Sequence, residues 1–216
     1  PVECLVVDDY EQLLTKLLAN ATELAWMPPL LLTRAMRAGA TVAVVSERDG
    51  SVTYRSAILV RSDSPATKVE DLRDVRAAWT DRHSAACHLV PRQHLHAAGV
   101  SFGKEMFAGS PQAACAAVAD GAADVCGCVV REGAAADPAQ ALADVSRVYP
   151  AATSRLRVIA ITEAIPPDGI LFAPSVAPAD AARYTDVLTE LHLYAAGRSV
   201  LWDLMSATRL VRPSAG

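Results

Sequence analysis

The stretch from residue 9 to residue 29 reads DYEQLLTKLLANATELAWMPP. Asp9 predicts a helix N-cap, and leucines at 13, 14, 17 and 18 predict the buried stripe of the helix that follows. After the polar residues 20–23, Leu24–Trp26 predicts a short buried strand. Pro28 and Pro29 then predict the start of a second helix. A helix, a strand and a helix in such close succession predict a chain of the α/β class.

Strands and helices alternate over most of the remaining chain. Strands are predicted at Val2–Val7, Thr41–Glu47, Val52–Val60, Arg76–Thr80, Lys104–Phe107, Ala123–Val130, Arg157–Thr162 and Ile170–Ala173. Helices are predicted at 84–99 with a bend at Pro91, from Ser110-Pro111 to Asp120, and at 139–149, 179–195 and 199–205. Asp49-Gly50 predicts a hairpin turn. This alternation is typical of parallel or mixed sheets covered by helices.

The composition excludes several classes of function. The chain has 216 residues, 52% apolar and 20% charged, with a formal net charge of −4. That length suffices for one large domain or two lobes of about 100 residues each. Basic residues are scattered, so no nucleic-acid binding is expected. The longest apolar run, Leu24–Leu32, contains two prolines and is far shorter than the ~20 residues of a membrane span, so none is expected.

The amino terminus leaves the compartment open. Pro1 is followed directly by a strand-like run, without the basic and apolar regions of a signal peptide. If a leader was removed, the protein is expected to be periplasmic or membrane-anchored and extracytoplasmic. If the chain starts at Pro1, it is expected to be cytoplasmic.

The cysteines point to buried free thiols. They are five in number, at positions 4, 87, 115, 126 and 128. An odd count argues against a complete disulfide framework. Cys126 and Cys128 share a strand face, but no second Cys/His pair of zinc-site spacing follows, so no metal site is expected. Phosphate-loop, dinucleotide and nucleophile-elbow motifs are missing, so no cofactor and no catalytic residue are expected. Cys87 beside His88, at a predicted helix start, is the one candidate for a reactive thiol.

Nine short segments occur in a characteristic order. They are DYEQLL (9–14), ELAWMPP (23–29), YRSAILVRSDSP (54–65), VEDLR (69–73), DRHSAACHLVP (81–91), GSPQAA (109–114), DGAAD (120–124) and RVIA (157–160) followed by IPPD (165–168). In this order they resemble the phosphonate-type substrate-binding proteins of ABC transporters. The resemblance implies a type II periplasmic-binding-protein fold, in which two α/β lobes close on a small ligand and perform no chemistry of their own. It also implies an ABC transporter permease as partner.

The resemblance further implies a division of the chain into lobes. Lobe one is expected at residues 1–74 with 163–216, lobe two at residues 75–162, and the ligand cleft between them. Members of the family begin with a strand and a helix before the position of Pro1. Lobe one is therefore expected to lack its first strand and helix, leaving a sheet position that is empty or filled by another segment or chain.

Two predicted helix starts in lobe two, at Ser84 and Ser110, offer oriented N–H groups to an oxyanion. In the family the first helix start carries hydroxyls and the second a histidine. Ser84 keeps one hydroxyl here, whereas Ala85 and Ala86 replace Thr and Ser, and Pro111 replaces the histidine. The residues expected to bind the ligand are Trp26, Tyr54, His83, Ser84, Ala85, Ala86, Ser110 and Asp168.

Each of these residues also has a purely structural interpretation. The two serines fit helix caps, and the two aromatic residues fit core positions. His83 fits a solvated loop, and Asp168 fits a cap of the Pro-Pro-Asp-Gly turn. The lost side-chain donors favour a ligand less anionic than phosphonate, or a cleft no longer used in transport. Two alternative functions remain, a ligand-sensing regulatory domain and a cytosolic enzyme on the same fold.

Overall fold

Backbone pairing separates the strands into two sheets. The computed structural model describes residues 3, 5–7 and 9–213. One sheet has four strands and the other has five. Each belongs to its own compact unit, unit 1 being Pro1–Val52 with Pro166–Gly216 and unit 2 being Thr53–Ile165. None of the helices in the described ranges is long and apolar enough to span a bilayer.

The helices and strands follow one another along the chain with short connections. In order they are α1 (Tyr10–Leu18), β1 (Leu24–Met27), α2 (Pro29–Arg37), β2 (Thr41–Glu47), β3 (Tyr54–Arg61), β4 (Val75–Trp79), a π-helical turn (Ala85–Leu89), α3 (Val90–Ala97), β5 (Phe102–Phe107), α4 (Pro111–Ala119), β6 (Val125–Arg131), α5 (Pro138–Val145), α6 (Ala152–Arg155), β7 (Leu156–Ile161), β8 (Gly169–Phe172), α7 (Pro178–Glu190), α8 (Ala195–Met205) and β9 (Arg209–Val211). Single 3₁₀ turns occur at Val69–Asp71, Glu132–Ala134 and Leu191–Leu193.

Unit 1 is a three-layer α/β/α structure around an antiparallel sheet. The strand order is β1-β8-β2-β9, and all three described pairings are antiparallel, not the parallel or mixed arrangement predicted. On one face α1 and α2 bury Leu17 and Leu31 against Met27. On the other face the α7–α8 region and β9 bury Leu201 and Leu210. Within the described residues β1 pairs only with β8, so β1 is an edge strand.

Unit 2 is a three-layer structure around a mixed sheet, as predicted. The strand order is β5-β4-β6-β3-β7, with β4 parallel to β5 and β6, and with β3 antiparallel to β6 and β7. One face packs under α4 and α5, through residues such as Cys115 and Val145. The other face packs under α3 and the first 3₁₀ turn, where Trp79 and Leu95 are fully buried.

The unit boundaries differ from those predicted. The sequence placed residues 53–74 and 163–165 with lobe one, but they belong to unit 2. The reason is that β3 lies between β6 and β7 in the five-stranded sheet, and the segment after it buries Val69 and Leu72 in the same core. Residues 53–74 therefore have all their sheet partners in unit 2.

The Asp49-Gly50 turn forms as predicted, but it does not join paired strands. Both residues have positive φ, 52° and 87°, and Arg48 and Ser51 exchange backbone hydrogen bonds of 2.8 and 3.1 Å. These are the features of a tight hairpin turn. The strands on either side, β2 and β3, nevertheless lie in different sheets. Turn chemistry is local, whereas the choice of sheet is not.

The first predicted strand, Val2–Val7, falls partly outside the described residues. Val2 and Cys4 are among the residues not described, and Glu3 and residues 5–7 are not in a strand. The three-residue strand β9 and the short helix α6 were not predicted. Both are too short to show a hydrophobic period in the sequence.

The predicted bend at Pro91 takes the form of a π-helical turn. Leu89 N–H donates to the Ser84 carbonyl at 2.9 Å, five residues back. Proline has no N–H for the Cys87 carbonyl, which instead accepts a 3.4 Å bond from Thr80 N–H. This turn lies very close to β6, because a Cβ added at Gly127 would lie 2.5 Å from Pro91 Cγ and 2.9 Å from the Ala86 carbonyl oxygen.

We predict that Gly127→Ala lowers the free energy of unfolding by about 1–3 kcal/mol, because the added methyl group has to displace backbone as well as Pro91. Urea denaturation measures the change. Gly133→Ala is the matched control, since a Cβ at Gly133 has no neighbour within 4 Å. Equal stability of the two variants would show that the close approach of the π-helical turn to β6 is not a packing constraint.

Candidate functional site

Two helix starts lie at one edge of the sheet in unit 2. Strands β4 and β5 are parallel neighbours, so both end at the same edge. The loops that follow them are joined by backbone hydrogen bonds from Ala108 to Trp79 at 2.7 Å and from Gly109 to Thr80 at 3.0 Å. One loop leads into the π-helical turn and the other into α4. The carboxyl edge of parallel strands is the usual place for a ligand in an α/β sheet.

Ser84 and Ser110 cap these two helix starts. Ser84 Oγ accepts a 3.2 Å bond from Cys87 N–H, and Ser110 Oγ accepts a 3.1 Å bond from Ala113 N–H. The structural interpretation of both serines as caps is therefore correct. A capping hydroxyl still has its own proton to donate, so capping does not exclude a bond to a ligand.

Backbone donors are also present at these helix starts. The first N–H groups of a helix have no intrahelical acceptor, which applies here to Ala85, Ala86 and Gln112. The two alanines are almost fully buried and contribute only these backbone groups. Pro111 occupies the first position of α4 and has no N–H to contribute.

Tyr54 packs against the residues of the first helix start. Its side chain is 7% exposed and belongs to a small core cluster with Ala85, Ala86, Cys87 and Ile165. The interpretation of Tyr54 as a core aromatic residue therefore agrees with its burial.

Positive charge lies beside the same edge. The Arg82 guanidinium stacks over the ring of Phe107, at 4.6 Å from its centroid, and Phe107 is the last residue of β5. His83 donates its backbone N–H to Asp81 Oδ1 at 2.8 Å, and its ring Nδ1 lies 3.7 Å from the same oxygen. His83 thus belongs to a loop held by Asp81, which agrees with the interpretation of His83 as a loop residue.

The thiol that was the candidate for reactivity is not activated. Cys87 is 4% exposed, and burial raises its pKa against the smaller opposing effect of hydrogen bonds with Thr80 and Ser84. His88 Nδ1 lies 2.9 Å from the Arg82 carbonyl oxygen, and burial lowers the His88 pKa. Within the described ranges, no group of three or more Cys, His, Asp and Glu side chains is arranged to hold a metal ion.

Unit 1 contains a separate polar cluster around Asp168. Asp168 as a whole residue is 2% exposed. Its Oδ2 accepts bonds from Trp26 Nε1 at 2.8 Å and from Ser46 Oγ at 2.7 Å, and its Oδ1 forms a 2.8 Å ion pair with Arg48. Trp26 itself is half-buried, with the Tyr10 ring 5.9 Å away. Asp168 therefore fixes the indole of Trp26 from within the unit.

The predicted site residues thus form two groups. Unit 2 brings together Tyr54, His83, Ser84, Ala85, Ala86 and Ser110, and unit 1 brings together Trp26 and Asp168. The sequence reasoning missed Ser46 and Arg48. Their two-residue spacing puts them on one face where β2 ends, and this was the available signal.

We predict that iodoacetamide labels Cys87 slowly in the native protein near neutral pH, because the thiol is buried and its pKa is raised. Peptide mapping by mass spectrometry measures the rate, and labelling in urea provides the unhindered reference. Rapid native labelling of Cys87 would instead indicate an accessible thiolate and revive the enzyme hypothesis.

Solved structures of similar fold come from several bacteria. A Xanthomonas citri protein, solved bound to chloride ion, superposes with a TM-score of 0.78 at 19% identity over 98% of this chain and 78% of its own. PhnD1 of Prochlorococcus marinus, solved in complex with methylphosphonate, gives 0.74 at 20% identity over 96% and 78%. A binding protein component of the Pseudomonas aeruginosa ABC phosphonate transporter gives 0.72 at 19% identity over 94% and 68%. These likenesses establish the type II periplasmic-binding-protein fold.

The family is established by a match over nearly the whole chain. The model of the family described as "ABC transporter, phosphonate, periplasmic substrate-binding protein" matches residues 1–215. The family and its structural neighbours are non-catalytic substrate-binding proteins. The chain belongs to the phosphonate-type periplasmic substrate-binding proteins of ABC transporters.

Proposed function

We propose that this protein binds a small oxyanion at the carboxyl edge of the unit 2 sheet and delivers it to an ABC-type uptake system. The observation that carries the proposal is the pair of serine-capped helix starts held side by side by the loop-to-loop hydrogen bonds after β4 and β5. Membership of the family implies a small-molecule ligand, a permease partner and a location outside the cytoplasm.

The donors at this edge suit an oxyanion for two physical reasons. Free N–H groups at a helix start are oriented before the ligand arrives, and the helix dipole favours negative charge there. The hydroxyls of Ser84 and Ser110 add two more donors, and Arg82 adds a nearby positive charge. PhnD1 of Prochlorococcus marinus is a structural neighbour in complex with one such oxyanion, methylphosphonate.

The side chains present favour weaker binding than a full donor set would give. Ala85, Ala86 and Pro111 contribute no side-chain donor. At about 1 kcal/mol or more for each hydrogen bond to a charged ligand, three missing bonds correspond to a loss of affinity of more than about a hundredfold. We therefore expect the preferred ligand to be less anionic than a phosphonate dianion, and phosphonates to bind weakly.

The proposal includes a contribution from unit 1. Trp26 presents a half-buried indole whose orientation is set by Asp168. Such a ring offers apolar surface to the organic part of a small ligand. We propose that the two units close on the ligand together, with unit 2 binding the charged group and Trp26 contacting the remainder.

Tryptophan fluorescence tests this proposal with methylphosphonate, methanesulfonate and acetate as ligands. The chain has three tryptophans, Trp26, Trp79 and Trp202. We expect a saturable change in emission with at least one of these anions, and loss of the change in Trp26→Phe. The change should persist in Trp202→Phe, the matched control, because Trp202 lies on α8 and is 45% exposed.

Two results would count against the proposal. The absence of any saturable response, together with no increase in melting temperature at millimolar anion, would contradict oxyanion binding, since a ligand at 100 times its Kd stabilises by about 2.7 kcal/mol. A response that survives in Trp26→Phe but disappears in Trp202→Phe would remove Trp26 from the site. Micromolar binding of methylphosphonate would overturn the expected weak affinity alone.

A further inference from the structure

A buried ion pair lies directly behind the indole that the proposed function places against the ligand. Asp168 accepts from Trp26 Nε1 through one oxygen and pairs with Arg48 through the other. The Arg48 and Asp168 side chains are only 10% and 4% exposed. Charges at such depth are poorly screened by water and salt. The net charge beside Trp26 is therefore set by Arg48 and Asp168 together.

Arg48 is held on a second side as well. The guanidinium nitrogen that contacts Asp168 also donates a 2.7 Å bond to the Met205 carbonyl oxygen. Met205 is the last residue of α8, where the helix dipole presents partial negative charge. The backbone of Arg48 is fixed by the exchanged hydrogen bonds with Ser51. The position of this cation is thus determined by the protein and needs no ligand.

We propose that Arg48 is a specificity-determining residue that selects anionic ligands without an amino group. Its guanidinium supplies, inside unit 1, the counter-ion of the Asp168 carboxylate, so this carboxylate needs no positive charge from a ligand. The inference rests on the proposed function, because it requires a ligand that contacts Trp26. With the pair intact, this face neither attracts an ammonium group nor repels an oxyanion.

Removing the two charges one at a time has opposite consequences. Arg48→Met leaves a buried negative charge near Trp26, which favours a ligand that carries an amine. Asp168→Asn retains an oxygen to accept from Trp26 and Ser46 but leaves a positive charge, which disfavours an amine. Each change should shift the ratio of the affinity for an amine-bearing anion to the affinity for an amine-free anion roughly tenfold. The two shifts should be in opposite directions. The double variant Arg48→Met/Asp168→Asn removes both charges and should restore the wild-type ratio.

Isothermal titration calorimetry with ethylphosphonate and 2-aminoethylphosphonate measures these ratios. The two probes differ only in an amino group, and circular dichroism melts show which variants are folded. A purely structural role of the ion pair would change both affinities together and leave their ratio unaltered. If one single variant does not fold, the inference is tested by comparing the affinity ratio of the other single variant with that of the double variant.

The outcomes separate the inference from the proposed function. Opposite shifts in the two single variants, with the wild-type ratio restored in the double variant, support Arg48 as the specificity-determining residue. An unchanged ratio in folded variants overturns this role and leaves oxyanion binding intact. Failure of the wild-type protein to bind either phosphonate probe overturns the inference alone, whereas failure to bind methanesulfonate and acetate as well overturns the proposed function with it.

Discussion

The parallel pairing of β4 with β5 is the constraint on which the candidate site depends. Parallel neighbours end at the same edge, so the loops that leave them meet there, and two backbone hydrogen bonds join those loops. Each loop leads directly into a helix whose first residues follow a serine cap. The donors at both helix starts are thus placed by sheet topology rather than by particular side chains. The backbone donors are therefore in place even though Ala85, Ala86 and Pro111 contribute no side-chain donor.

Closely packed residues lie beneath this edge. Pro91 leaves the Cys87 carbonyl free to accept from Thr80 N–H, and the π-helical turn lies against Gly127 of β6. Tyr54 and Ile165 fill the space beneath the turn. In unit 1 the orientation of Trp26 depends instead on the buried carboxylate of Asp168 and its counter-ion, Arg48. The candidate site in unit 2 therefore relies on backbone donors, whereas the orientation of Trp26 in unit 1 relies on side-chain charges.

Local features of the fold were predictable from the sequence, and long-range ones were not. The cap at Ser110, the tight turn at Asp49-Gly50 and the bend at Pro91 depend on neighbouring residues, and all three form. The assignment of β3 to unit 2 depends on its pairing with β6 and β7, which no local pattern reports. For that reason the turn was predicted correctly, while the bounds of the two units differ from those of the predicted lobes.

The same distinction applies to the candidate site. Sequence reasoning located both helix starts, the one at Ser110 from adjacent serine and proline and the one at Ser84 from the serine alone. The ion pair and hydrogen bonds of Asp168 were missed because its partners are distant, with Ser46 separated from it by 122 residues and Trp26 by 142. A buried carboxylate can only be assigned its role once those partners are known. The sequence therefore predicted Asp168 as a ligand contact or a turn cap, whereas its oxygens contact Trp26, Ser46 and Arg48.

The central claim is that backbone donors at the two helix starts bind the oxyanion. The most direct measurement is a ¹H–¹⁵N correlation spectrum of the labelled protein, titrated with the anion that gives the strongest response. We expect saturable shifts concentrated at the amides of Ala85, Ala86 and Gln112, with the amides of α7 little changed. Saturable shifts that spare all three of these amides would contradict the central claim.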